Sequence, residues 1–357
     1  MNFALSEEQR WLQKNARDFF AIERPVEWQE MARQGWPGLI LPAKYGGLGL
    51  GFFELALLME EMGYALAPGP FFATVIFGGL PILTAGSERQ KKLFLPRIAR
   101  GELQLSLAGL LTNEPGLIMK DEGRGFIVEG QAAAVLEAQG ADWFVVSALR
   151  AGSDREHGAL SLFLVEGCNP NVVISKLNGP DPSRNLYQVK FQGAKVAANM
   201  LLGRPGQGRA VLQKILACAL AALSAEMAGA TQKILDMCVS YARQRTQFGK
   251  AIGSFQAVQH GLADMKVTLE NSRSLAYHAA WAVECDARNN VVAAMMAKAY
   301  AGEVFLKAAM DGVQIHGAVG FASEHGIHRY LRRALGCQGF CADALSLRER
   351  LARALLD

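Results

Sequence analysis

The chain has 357 residues, 51% of them apolar, which is enough to fill the cores of two or three packed domains. Its 37 Lys and Arg against 33 Asp and Glu leave a net charge of +4 without basic runs; this argues against nucleic acid and is compatible with an anionic small ligand. No stretch reads as apolar and uninterrupted enough to span a bilayer, and Met1-Asn2-Phe3-Ala4 lacks the plan of a leader, so a cytoplasmic location with no membrane partner is expected.

In chain order, the first hundred residues read as helices. Ser6-Glu7-Glu8-Gln9 is a capping-box start, and Leu55, Leu58, Met59 and Met62 recur at helical spacing. Between them, Leu41-Pro42-Ala43-Lys44-Tyr45-Gly46-Gly47-Leu48-Gly49 reads as a loop. From about Leu105 to Leu202 the pattern changes to short runs such as 125–128, 143–146 and 162–165, rich in Val, Ile and Phe and separated by Gly, Asn, Asp and Pro. A β domain is expected there. After Gly203-Arg204-Pro205-Gly206-Gln207-Gly208 long Ala- and Leu-rich helices return, interrupted near 249–253, 289–290 and 317–326, which predicts a four-helix bundle. The class is α+β, mostly α, with domains at 1–104, 105–203 and 204–357. Cys168, Cys218, Cys238, Cys285, Cys337 and Cys341 show no metal-like spacing, and three lie in apolar helical patterns, so reduced core thiols are expected, without metal or disulfide.

Two segments carry the chemistry: Arg243-Gln244-Arg245-Thr246-Gln247-Phe248-Gly249-Lys250 followed by Ile252-Gly253-Ser254-Phe255-Gln256, and Gln314-Ile315-His316-Gly317-Ala318-Val319-Gly320-Phe321. Together they resemble the flavin-gripping signature of the acyl-CoA dehydrogenase family. The order of helical, β and bundle domains fits, as do the 59–68 turn, the 201–208 hinge and the 325–334 stretch. The resemblance implies that family's fold and FAD as cofactor. It also implies that Arg245, Phe248, Gln256, Gln314 and Gly317 hold the diphosphate and adenine of a neighbouring subunit's flavin. A guanidinium suits an anionic diphosphate, glycine admits a backbone N–H to phosphate oxygens, and amides can satisfy adenine or ribose edges. Ala318 departs from the usual second glycine. Read alone, Arg245 is a surface charge and Gln256 a helix filler; their joint spacing favours the binding role.

The catalytic side departs from the pattern. Family members abstract the proton next to a thioester carbonyl with a Glu while hydride leaves for the flavin, and a dry pocket raises the carboxylate's pKa to suit this. The two positions where that Glu is expected are Cys341 and Ala219. Asp343 is a weak substitute, more readily read as a helix N-cap. Glu226, two turns or about 10 Å from Ala219, is more readily read as paired with an arginine. Cys341 reads as a small core residue, with no basic neighbour in its local sequence. At the flavin-ring positions the family's aromatic and Thr become Ala134 and Leu136 in Gly130-Gln131-Ala132-Ala133-Ala134-Val135-Leu136. After Glu114-Pro115-Gly116 the small polar continuation becomes Leu117-Ile118-Met119, while Thr112 and Asn113 retain hydrogen-bonding capacity. The substrate-gripping Asp and Arg become Ala217 and Leu220.

The resemblance then implies a subunit of an FAD-dependent acyl-CoA dehydrogenase that lacks its own base. It would sit in a heterotetramer with two copies of each subunit, beside a homologous Glu-bearing partner whose pocket takes most of the acyl-CoA, steroid-derived or dicarboxylic in kind. Three alternatives stay open: a homotetrameric dehydrogenase using Asp343 or another displaced carboxylate, an inert CoA-ester-binding scaffold, and a flavin monooxygenase or nitroalkane-oxidising relative.

Overall fold

The computed structural model describes residues 5–21, 26–109, 116–153, 159–322 and 324–356. By contact it forms two units, each discontinuous in sequence: 1–25 with 52–67 and 220–357, and 26–51 with 68–219.

In the first unit, helix α1 (Glu7–Phe20) begins at the expected box, with the Ser6 hydroxyl accepting from Gln9 N and the Gln9 side chain accepting from Ser6 N. That reciprocal pair satisfies two of the N–H groups a helix start leaves open. Helix α2 (Trp28–Arg33) belongs to the other unit. Helix α3 (Phe52–Ala65) is apolar nearly all round and buries Leu55, Leu58, Met59 and Met62, as a core helix must. This unit also holds the part of α6 (Gly208–Gln244) from Leu220 onward, its first residues belonging to the second unit, together with α7 (Gln256–Glu284), α8 (Asn290–His316), α9 (Ile327–Gly339) and α10 (Ala344–Leu356). The segment expected only to precede the final helix is itself the 13-residue α9, and Cys341 with φ 66° turns the chain between α9 and α10.

Helices α3 and α6 cross backbone to backbone. A Cβ on Gly63 would strike the Glu226 carbonyl, and one on Gly229 the Glu60 carbonyl, so only glycine permits this approach. The 37-residue α6 also corrects one expectation: by length and composition it is apolar enough to cross a bilayer. Of its most apolar 18-residue window, 67% is buried inside the protein, which is where its hydrophobicity is used.

The second unit opens with α2 and the 41–49 stretch, which is a loop containing one short 3-10 turn at Ala43–Tyr45 that Gly46 ends at φ 79°. Helices α4 (Leu80–Ala85) and α5 (Glu88–Ala99) follow, α5 starting on a second capping box from Ser87 and Gln90. The strands are β1 (Leu105–Ala108), β2 (Leu117–Glu122), β3 (Gly125–Leu136), β4 (Trp143–Arg150), β5 (Leu160–Glu166), β6 (Val172–Leu177), β7 (Leu186–Ala197) and β8 (Leu201–Leu202). They form one sheet in the order β6-β7-β3-β2-β4-β5-β8, with β1 parallel to β4. The three Val-, Ile- and Phe-rich runs fall in β3, β4 and β5, and Phe144, Val146, Phe163, Val189 and Phe191 fill the core beneath them.

None of the six cysteines is in a disulfide. Cys238, Cys337 and Cys341 are buried as expected of core thiols, whereas Cys168 and Cys285 are exposed and Cys218 is half-buried. Cys285 caps the end of α7, where the apolar stripe has already run out.

Candidate functional site

The end of α6 leads directly into a two-stranded hairpin, β9 (Thr246–Gln247) and β10 (Lys250–Ala251). Its two-residue turn places Phe248 at φ 53° and Gly249 at φ 78°, the left-handed pair that a tight hairpin demands. Phe248 tolerates that unfavourable backbone while 91% exposed, its ring edge-on to Phe255 at 6.1 Å. The Arg245 N–H donates to the Tyr241 carbonyl at 2.8 Å, and the Arg245 carbonyl accepts from Ile252 N at 2.8 Å, so the base of the hairpin is tied. The Arg245 side chain is exposed and makes no ion pair among the described residues. Gln256, the first residue of α7, is likewise exposed.

Gln314 lies exposed in the last turn of α8, and Gly317 follows as its C-cap at φ 61° and ψ −138°. Nothing lies within 4 Å of a Cβ built on Gly317, so this turn is open to an approaching group. The two segments meet through Tyr241, whose ring stacks on His316 at 4.4 Å and whose hydroxyl donates to the His316 carbonyl at 3.4 Å. Tyr241 carries no motif in the sequence; only its packing reveals the link.

At the expected base positions, Ala219 is fully buried and Cys341 is 5% exposed. Glu226 is buried and ion-paired with the equally buried Arg333. Asp343 caps α10, accepting from Ser346 N at 2.9 Å and from the Ser346 hydroxyl at 2.7 Å. Those hydrogen bonds hold its carboxyl below the usual range, the direction opposite to the one a proton-abstracting base needs. The Lys298 amine, buried in α8, donates to the carbonyls of Cys337 at 3.0 Å and Ala342 at 3.3 Å, bracing the turn on both sides of Cys341. Local sequence around Cys341 contains no such cation, because the brace arrives from another helix.

On the β side, Ala134 sits at φ 55° in an irregularity between Ala132 and Val135 where β3 pairs with β7. Leu136 is buried, and its carbonyl accepts from the Ser106 hydroxyl. Leu117 and Met119 enter the β core, while Ile118 faces outward. Ala217 and Leu220 are both buried. Thr112, Asn113, Glu114 and Pro115 lie outside the described residues.

A second polar group, which the sequence did not single out, surrounds the paired acids of α3. Glu60 accepts from Arg273 Nε at 2.8 Å and from the Tyr277 hydroxyl at 2.7 Å, and Glu61 is ion-paired with Arg17. Burial pushes the Glu61 carboxyl up, with Arg17 opposing, and burial with Glu60 pushes the Tyr277 phenol well up. These groups line a depression of about 570 Å³ with Arg10 and Lys14. Glu60 and Glu61 are consumed by these partners, and they secure α1 and α7 to α3.

The residues of the hairpin and of the α8 terminus fit the diphosphate and adenosine half of a flavin dinucleotide: an unpaired guanidinium, two open amides, an exposed ring and an unobstructed glycine turn. The flavin-ring half does not find its usual partners in Ala134 and Leu136, which offer no side-chain hydroxyl or aromatic face.

The family profile "Acyl-CoA dehydrogenase, N-terminal domain" matches residues 6–102 and "Acyl-CoA dehydrogenase, C-terminal domain" matches residues 206–340. The chain is 32% identical to cyclohex-1-ene-1-carbonyl-CoA dehydrogenase of Geobacter metallireducens over 91% of this chain and 88% of that one. A solved FAD-dependent dehydrogenase is 28% identical with a TM-score of 0.92, covering 99% of each chain. The solved Tcur3481-Tcur3483 steroid ACAD is 30% identical with a TM-score of 0.87, covering 98% of each chain. Fold, matching profiles and near full-length identity agree: the chain belongs to the acyl-CoA dehydrogenase family, whose cofactor is FAD.

Proposed function

We propose that this chain is the base-less subunit of a heteromeric acyl-CoA dehydrogenase. Through Arg245, Phe248, Gln256, Gln314 and Gly317 it holds the diphosphate and adenine end of an FAD whose ring, catalytic Glu and acyl pocket belong to a homologous partner. The observation that carries the reading is an asymmetry. The trans-contact side chains stand exposed and uncommitted, whereas Cys341 and Ala219 occupy the base positions and the nearby acids are spent, Glu226 on Arg333 and Asp343 on the α10 cap. The steroid ACAD relative supports a two-component assembly of this kind and a steroid-derived CoA ester as the acyl class, with desaturation in β-oxidation of a side chain or ring fragment as the process. The cytoplasm and the division into domains at 104 and 203 belong to the same reading.

The test is co-expression. The chain made alone is expected to purify colourless and to leave a CoA thioester unoxidised. With its Glu-bearing partner the complex is expected to carry one FAD for each pair of chains. Full flavin occupancy and thioester oxidation by the lone chain would overturn the proposal.

A further inference from the structure

In the proposed reading, the hairpin after α6 and the terminus of α8 are the two halves of a clasp on FAD, and they approach each other at one aromatic contact. Tyr241 touches both: its carbonyl takes the Arg245 N–H at 2.8 Å, and its ring lies over His316 at 4.4 Å with 29° between the planes. His316 is the last residue of α8, directly before Gly317 and two after Gln314. On its other side His325 packs edge-on at 4.3 Å.

The protonation state of this stack follows from hydrogen bonding. His316 Nδ1 lies 2.7 Å from the Gly312 carbonyl, which only accepts, so Nδ1 carries the hydrogen. Nε2 is then a bare lone pair, and it is buried with no hydrogen-bond partner. His325 Nδ1 is buried and partnerless as well. A proton on Nε2 would create an N–H with no acceptor, in a residue only 3% exposed, and set a charge against the second imidazole.

Among the described residues, no partner for a proton on Nε2 is present. From α6 the site meets Tyr241 and, one turn back, Cys238, whose thiol burial pushes up to about 12 and so keeps neutral. On α8 itself the adjacent acid, Asp311, is paired with Lys307 at 2.7 Å. Among the described residues there is no grouping of three or more His, Cys, Asp or Glu able to hold a metal.

We propose that the Tyr241, His316 and His325 rings are positioning residues that align the two halves of the clasp, and that they do so only while His316 is neutral. The inference rests on the clasp reading above. Burial holds the His316 pKa below the usual histidine range, the Gly312 hydrogen bond opposing and His325 adding to it. The sign follows: above the ordinary value of about 6.5 both folded and unfolded His316 are neutral and the alignment is at full strength. As pH falls below that value the unfolded chain takes the proton first, and the folded stack loses stability until its own lower pKa is passed.

Amide hydrogen exchange on the chain alone, corrected for intrinsic rates, tests the alignment without cofactor. Between about pH 7.5 and about pH 5.5, segments 245–253 and 314–321 are expected to lose protection together, by severalfold. His316→Phe keeps a stacking ring but has no proton to accept, and is expected to flatten that response; His316→Ala is expected to expose both segments at both pH values. A flat wild-type profile, a pH response that survives in His316→Phe, or exposure of only one segment in His316→Ala overturns the proposal. FAD release from the mixed complex is then followed at the same two pH values, expected to be faster at the lower one in wild type and unchanged in His316→Phe. If exchange behaves as expected but FAD release ignores both pH and Arg245→Ala, the clasp reading falls and the alignment stands. If Arg245→Ala loosens FAD while exchange ignores His316, the alignment falls and the clasp stands.

Discussion

Glu226 shows how a single partner decides what a carboxylate does. Its register, two turns past Ala219, made it available as a displaced base; Arg333, arriving from α9, turns it into half of a buried ion pair. Removing the arginine alone strands a charge in the bundle. Arg333→Met is therefore expected to cost about 3–5 kcal/mol, read as a fall in the urea midpoint at constant m-value. Replacing both partners, Glu226→Leu with Arg333→Met, is expected to recover most of that loss, because an apolar pair avoids the desolvation that the ion pair must offset. A double variant no more stable than the single one would refute this account. Asp343 is the exposed counterpart: its oxygens are taken by Ser346, so its place two residues beyond Cys341 reflects where a helix starts.

Elements are set by close approach as much as by pattern. The capping boxes at Ser6 and Ser87 open α1 and α5 because both spacings satisfy N–H groups locally. The crossing of α3 and α6, by contrast, depends on Gly63 and Gly229 lying against each other's helices, and nothing near Gly229 in sequence announces Glu60. Gly229→Ala is expected to push the helices apart and cost about 1–3 kcal/mol or more in thermal or chemical unfolding. Gly261, inside α7 with nothing within 4 Å of a built Cβ, is the control. There the same substitution is expected to stabilise by up to about 1 kcal/mol. Equal effects at the two sites would mean that helix propensity alone, and not the crossing, governs Gly229.

At the scale of the whole molecule, the proposed reading gives the exposed guanidinium of Arg245 a role in an assembly. In the complex with a Glu-bearing partner, Arg245→Ala is expected to weaken FAD about 10- to 100-fold, the loss of a charge-assisted contact of about 1.5–3 kcal/mol. The defect is expected to shrink as salt rises, since the wild-type attraction is screened. The folding stability of the lone chain is expected to move by no more than about 0.5 kcal/mol, as for other surface changes. FAD affinity that ignores the substitution would remove Arg245 from the clasp. The same scale explains the apolar composition of α6: two thirds of its most apolar window, 67%, is buried inside the protein, and that stretch reports a core.

The sequence by itself determined the order of helical, β and helical segments, the capped starts of α1 and α5, and the residues of the hairpin and the α8 terminus. Each depends on neighbours within a few positions, through period, capping or turn chemistry. Tertiary structure alone decided that Glu226 is paired, that Lys298 braces the turn at Cys341, that Glu60 and Glu61 are spent on Arg273, Tyr277 and Arg17, and that Tyr241 links the hairpin to the α8 terminus. A side chain's charge state and commitment are set by what folding brings against it, and those partners lie far along the chain, where no local spacing records them.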